Sequence, residues 1–207
     1  MQSDKIDIVL IAAGLSSRMG GVQKVLHPFC GHTLLYFSLT SALSVGDVVL
    51  VTGHNAREVE KEARAIQEMC NSENHLTIVY NSDYEKGQYS STLSGISKLS
   101  GEKAFALSLG DMPFIKMSDY ENLYKELEDF DVLRPFVNAH PAHPVFFKGA
   151  MKNFFFLHKD EKSVRAILEN YKDVLKIKNF EYTENKKIAV DFDYETDFKR
   201  WSAVDWT

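Results

Sequence analysis

Short apolar runs alternate with stretches of helical periodicity along most of the chain. "IVLIAA" (residues 8–13) is too short for a buried helix and is closed by Gly14, so it predicts a strand over residues 6–12. Leu34, Leu35, Phe37, Leu39 and Leu43 give a helix over 33–44 a wide apolar face. "DVVLVTG" (47–53) reads as a strand buried on both faces, because a strand with one solvated face would alternate. Asn55 is then expected to cap a charged surface helix reaching Cys70. "LTIVYN" predicts a third strand, residues 90–99 a short helix, and "KAFALSLG" a fourth strand ending at Gly110, since Pro113 cannot continue a central strand. A helix over 119–128 follows, then strands in "DVLRPFV" and "HPVFFKG", a helix in "SVRAILENY" and a strand in "VLKIKN". "KKIAVDFD" leads into an acidic, helical end. This alternation specifies an α/β layered fold, and with no repeat or domain-scale linker residues 1–207 read as one domain.

Composition narrows the function without identifying it. A net charge of −5 argues against nucleic acid as the partner, which would call for a basic excess. Cys30 and Cys70 are far apart, which is neither a disulfide framework nor a zinc pattern and suits a reducing cytoplasm. The polar start "MQSDKID" is no signal peptide, and no run approaches the length of a membrane span, so a cytoplasmic location is expected.

The passage between the first strand and the first helix, "AAGLSSRMGGVQK", has the composition of a phosphate loop. A dinucleotide fingerprint needs G-x-G-x-x-G, but the glycines are Gly14, Gly20 and Gly21. A P-loop needs G-x-x-x-x-G-K-[ST], but Met19 stands at the second glycine. What remains is A-A-G-x-S-x-R-M-G-(x)3-K, formed by Ala12, Ala13, Gly14, Ser16, Arg18, Met19, Gly20 and Lys24. Gly14 permits close backbone approach, loop N–H groups can form an anion nest, and Arg18 and Lys24 supply a planar fork and a compact charge. Either cation alone would read as a solvated surface residue; together, at the C-terminal end of a strand, they point to an anionic ligand.

This stretch resembles the signature of nucleotidyltransferases of the nucleotide-diphospho-sugar-transferase fold, a three-layer α/β/α, Rossmann-like fold with a mixed, mostly parallel central sheet. It is most similar to the molybdenum cofactor cytidylyltransferases and guanylyltransferases. The resemblance implies that Gly14 to Gly20 wraps a nucleoside triphosphate, with Ala12, Ala13, Gly14, Ser16 and Gly20 among the nucleotide-binding residues, while Arg18 and Lys24 neutralise its phosphates. Other motifs follow in the family's order. "LSLGDMPFI" places Asp111 just beyond a buried strand; Gly-Asp-x-Pro could simply be a turn, but in the family this Asp binds Mg²⁺. "VDFDYETDF" offers Asp191 and Asp193, which on a strand would share one face, and the family's matching D-x-D segment contributes a second metal contact. Here the Thr-Pro-Glu that should follow is absent.

Gly87, Ser90 and Ser91 match a loop and helix start that contact nucleotide in the family. They also suit a plain helix N-terminus, and Thr92 excludes a serine-nucleophile elbow. His143 lies in "AHPV", where the family has Gly-His-Pro-Val lining the acceptor pocket, and it is expected to meet the acceptor's phosphate or pterin. Arg165 survives from a Gly-Asp-x-Gly-Ala-Arg segment whose glycines are missing.

The resemblance implies a Mg²⁺-dependent enzyme that transfers CMP from CTP to a phosphorylated small molecule, molybdopterin or molybdenum cofactor, with a molybdoenzyme as a further partner. Ala13 stands where the guanylyl branch has glycine, and its methyl narrows the base pocket toward a pyrimidine. Two rivals remain: a same-fold transferase using GTP, or acting on a sugar or alcohol phosphate, and a non-catalytic nucleotide-binding partner of a molybdoenzyme.

Overall fold

The computed structural model describes residues 6–16, 23–99 and 102–201. The central sheet contains β1 (Asp7–Ile11), β4 (Val48–Thr52), β5 (Leu76–Tyr80), β6 (Phe105–Leu109), β7 (Val132–Val137), β8 (His140–Pro141), β9 (Val145–Phe147) and β10 (Ile177–Glu181). Its strand order is β10-β7-β9-β6-β1-β4-β5, with β8 attached to β7. β1, β4, β5 and β6 run parallel, as do β7 and β10, while β9 is antiparallel to both β6 and β7. The continuous apolar runs of β1 and β4 are buried throughout, as expected of interior parallel strands, whereas the edge strand β5 is largely half-exposed or open.

Alternation along β1 divides the core into two layers. Ile8, Leu10 and Ala12 pack with side chains of α1 (Leu34–Leu43), α2 (Ala56–Cys70) and α4 (Met117–Lys125). Val9, Ile11 and Ala13 face the other way, toward α3 (Gln88–Ile96), α5 (Met151–Leu157) and α6 (Val164–Asn170). The result is the three-layer α/β/α arrangement with a mixed, mostly parallel sheet. No helix among the described residues is long and apolar enough to cross a membrane.

On the second face α3 lies close to the sheet because Gly95 has no side chain. A Cβ there would stand 2.4 Å from Val9 Cγ1 and 2.9 Å from Val51 Cγ2. Gly95→Ala is therefore expected to destabilise the fold by about 1–3 kcal/mol through overpacking, despite alanine's better helix propensity. The urea midpoint should fall at unchanged slope; a midpoint at or above wild type would mean that α3 shifts outward at no cost.

Several elements depart from the sequence reading. Asn55 precedes α2 but has a left-handed backbone (φ 50°) and makes no side-chain capping bond. α4 starts at Met117, where the Lys116 N–H donates to Asp119 Oδ2 at 2.8 Å. The strand on which Asp191 and Asp193 would share a face does not form. Those residues follow a 3-10 turn, Lys186–Ala189, and precede α7, Glu195–Trp201. Phe192 between them is fully buried against Phe29, Leu34, Phe114 and Phe198, a third apolar cluster beneath the small hairpin of β2 (Pro28–Phe29) and β3 (His32–Thr33). That hairpin has no counterpart in the expected elements.

Candidate active site

The chain runs from β1 outward to β4 and β5, then returns to place β6 on the other side of β1. Such a reversal opens a crevice at the C-terminal ends of the two strands. The register pairs Ile11 with Leu109, so residues 12–16 and residues 110–111 leave the sheet side by side. The loop after β1 and the Gly-Asp-Met-Pro turn are thus brought together by strand pairing alone.

A cavity of about 370 Å³ opens there. Ala12, Ala13, Gly14 and Ser16 line it from the first loop, Lys24 and Asp111 from below, and Asp193 from the C-terminal segment. Gly87 and Ser91 form part of the opposite wall. Arg18 and Gly20, expected in the same loop, lie outside the described residues.

Lys24 is the electrostatic centre of this cavity. Its Nζ stands 2.5 Å from Asp111 Oδ2 and 2.9 Å from Asp193 Oδ1, with all three side chains largely withdrawn from solvent. Burial pulls the ammonium downward, but the two carboxylates outweigh it and hold Lys24 above its ordinary value. Asp193 is itself fixed by Asp197, whose Oδ2 accepts the N–H groups of Asp193 at 3.0 Å and Tyr194 at 2.8 Å.

Asp191 does not line the cavity, because the buried Phe192 between the two acids turns the chain and the shared strand face is lost. It has solvent on one side, yet the packed segment desolvates it. Repulsion from Asp193 and Asp111 adds to that effect and raises its carboxyl above the usual range.

The first loop is braced by a residue the sequence did not single out. Gln23 is buried; its Nε2 donates to the Ala12 carbonyl at 3.3 Å, and its Oε1 accepts from Ser16 Oγ at 3.4 Å. Ser16, itself left-handed at φ 51°, accepts the Lys24 N–H on Oγ at 2.9 Å. The two ends of the loop are therefore held closed whatever lies between them. A side-chain amide directly before Lys24 was the available signal.

Gly87 begins α3 at φ 105°, a conformation that favours glycine. Ser90 does not line the cavity; its hydroxyl lies 2.8 Å from both the Asp83 and Gly87 carbonyls and accepts from Asn81 Nδ2 at 2.9 Å. Its place is explained by helix-start bonding, the plainer of the two readings of this segment. Asn81 also donates to Ser91 Oγ at 3.0 Å, which leaves Ser91 as the hydroxyl at the cavity wall.

A second cavity, about 210 Å³, adjoins the first, and Gln88 lines both. His143 and Arg165 are in its wall, with Arg134 from β7 beside them. His143 donates Nδ1–H to the Leu107 carbonyl at 3.1 Å, and burial lowers its imidazole below the ordinary value. A neutral ring fixed in this tautomer presents Nε2 as an acceptor, which suits an N–H or O–H of a ligand and not a phosphate.

Residues 8–174 match the MobA-like NTP transferase domain. The molybdenum cofactor cytidylyltransferase of Escherichia coli K12 is 32% identical over 141 residues, which is 68% of this chain and 68% of that protein. A bifunctional protein GlmU from Sulfurimonas denitrificans is 28% identical over 130 residues, 62% of this chain; the match spans only 28% of that longer protein. Among solved structures, a nucleotidyl transferase from Methanothermobacter superposes with a TM-score of 0.76 at 20% identity, covering 96% of each chain. The backbone arrangement is thus that of the nucleotide-diphospho-sugar transferases; the motifs from Ala12 to Arg165 lie inside the matched region, and Asp191 and Asp193 lie beyond it. The chain belongs to the MobA-like NTP transferase family and is a nucleotidyltransferase.

Proposed function

We propose that this enzyme transfers CMP from CTP to a phosphorylated small-molecule acceptor, molybdopterin or molybdenum cofactor, and releases pyrophosphate. The observation that carries the reading is the convergence of Asp111 and Asp193 on Lys24 beside the braced first loop. The likeness to the Escherichia coli cytidylyltransferase supports the choice of base and acceptor.

The donor set fits a hard divalent cation such as Mg²⁺. Two carboxylates already share one positive group, and Mg²⁺ is typically bound by one or two carboxylates together with phosphate oxygens and water. Among the described residues no group of three or more His, Cys, Asp or Glu offers a complete protein cage, so phosphate and water would supply the remaining ligands. Asp111 and Asp193 would hold the ion, which when bound neutralises phosphate charge.

This chain's own groups do the rest. Residues 12–16 present backbone to the triphosphate, and among the described residues beyond its chain neighbours a methyl added at Gly14 would meet no atom within 4 Å. Lys24, and Arg18 from the same loop, stabilise the equatorial and leaving-group oxygens. An acceptor phosphate oxygen forms the new bond to the α-phosphorus as the bond to the pyrophosphate oxygen breaks. That nucleophile is already anionic, so the rate comes from positioning and electrostatics without a general base. The second cavity receives the acceptor, with His143 toward its donor edge.

Ala13 lines the cavity wall, and the pyrimidine assignment rests on its standing where a glycine would leave more room for a base, a discrimination of about 1–3 kcal/mol. With Mg²⁺, CTP should raise the melting temperature more than GTP, ATP or UTP. A larger shift with GTP would reverse the base assignment.

A further inference from the structure

The second cavity holds more positive charge than a single reacting phosphate requires. Its floor is apolar, from Leu107, Val145 and Leu168, but two guanidiniums, Arg134 and Arg165, enter it from β7 and α6. Arg134 is half-buried and rests over the Phe136 ring at 5.3 Å from its centroid. Among the described residues no carboxylate stands within ion-pair distance of it. Arg165 uses its Nε on Glu169 Oε1 at 2.7 Å, an exposed pair that contributes little and leaves the terminal nitrogens to other partners. Burial and the Arg165 charge hold Arg134 below its ordinary value, with Glu169 opposing them. Glu169 answers the Arg165 charge at the surface, so the half-buried Arg134, with no carboxylate of the described residues at ion-pair distance, is the charge that an incoming anion would relieve.

The sheet register says where that anion would lie. Leu109 lines the first cavity and Leu107, on the same face of β6, the second. Leu107 pairs with Val145, and continuing the β7–β9 register one residue beyond Leu133↔Phe146 puts Arg134 beside Val145. Arg134 thus stands two strands away from Leu107, roughly 10 Å across the sheet. A molecule whose phosphate reaches Asp111 and whose body crosses Leu107 and Val145 brings its far end to the two arginines.

We propose that the acceptor carries a second anionic group, remote from its reacting phosphate, and that Arg134 and Arg165 select acceptors by gripping that group. The proposal rests on the reading of the second cavity as the acceptor site and deepens it by naming the substrate class, a phosphate monoester with a distal carboxylate or other anion.

The test uses the full chain and a ladder of alkyl phosphates with two to six methylenes, each with and without a terminal carboxylate. Affinities are measured by calorimetry on the free protein and on protein saturated with Mg²⁺ and α,β-methylene CTP. At one or more lengths the carboxylate should strengthen binding on the order of 10- to 100-fold. Arg134→Met and Arg165→Met should each remove most of that preference, Arg134→Lys should restore part of it, and binding of the CTP analogue should not change. Equal affinities with and without carboxylate at every length would overturn the proposal, as would a preference undiminished in both methionine variants. If the protein bound no nucleotide, the transferase reading would fail separately, because the carboxylate preference is still read on the free protein.

Discussion

Asp111→Asn should lower Mg²⁺-dependent pyrophosphate release by on the order of 10³-fold while weakening CTP binding only a few-fold. The substitution keeps the shape of the side chain and removes its charge, so the turn after β6 and the register with β1 should survive. What is lost is one of the two carboxylates that meet at Lys24. Those charges matter most when negative charge is redistributed over the phosphates, so the loss falls on turnover more than on binding. A pyrophosphatase-coupled phosphate assay at saturating CTP and acceptor measures it. Activity within about threefold of wild type would remove Asp111 from the reacting centre, since a single preorganised electrostatic group is commonly worth a hundredfold or more.

Lys24→Met tests the same triad from its positive side and should separate two effects. Turnover should fall about 10²- to 10³-fold through loss of phosphate stabilisation. In the metal-free protein, Asp111 and Asp193 would also face one another without their shared cation, and the melting temperature should drop. Added Mg²⁺ supplies a replacement charge, so it should raise the melting temperature of Lys24→Met more than that of wild type. Asp111→Asn should show the opposite, a smaller Mg²⁺ response. An identical Mg²⁺ dependence in Lys24→Met and wild type would show that Lys24 does not occupy the cation position. Because its folded value lies above the ordinary 10.5, the stabilisation from its charge is fully present below that pH and is lost only as pH rises beyond it. The comparison at neutral pH is therefore free of lysine titration.

The strands, and several of the residues that come together at the first cavity, were legible because their signals are local. An uninterrupted apolar run closed by glycine marks β1 and β4, and helical spacing marks α1. Chemistry that sits where such runs end, as at Gly14, Lys24 and Asp111, can be read from the same boundaries. Asp193 was legible as a residue but not in its geometry, because period-two reasoning assumes a strand, and the burial of Phe192 in a distant cluster decides that backbone instead. Ser90 shows the opposite limit: whether a helix-start hydroxyl faces a ligand or its own carbonyls depends on Asn81, nine residues earlier in the chain. Arg134 carried no motif at all. It is brought to the cavity by the antiparallel insertion of β9 between β6 and β7, a pairing that no local pattern encodes.

The ion pair between Lys24 and Asp193 joins residues 169 positions apart, and this sets the order in which the protein acquires its parts. During synthesis the loop after β1 emerges early, and β6 delivers Asp111 about halfway along the chain. The second carboxylate arrives only when the segment around Phe192 has docked beneath the β2–β3 hairpin. A chain in which the Phe192 segment has not docked would thus hold the loop after β1 without the completed acidic pair. Under the proposed function, such a chain would bind nucleotide without turning it over.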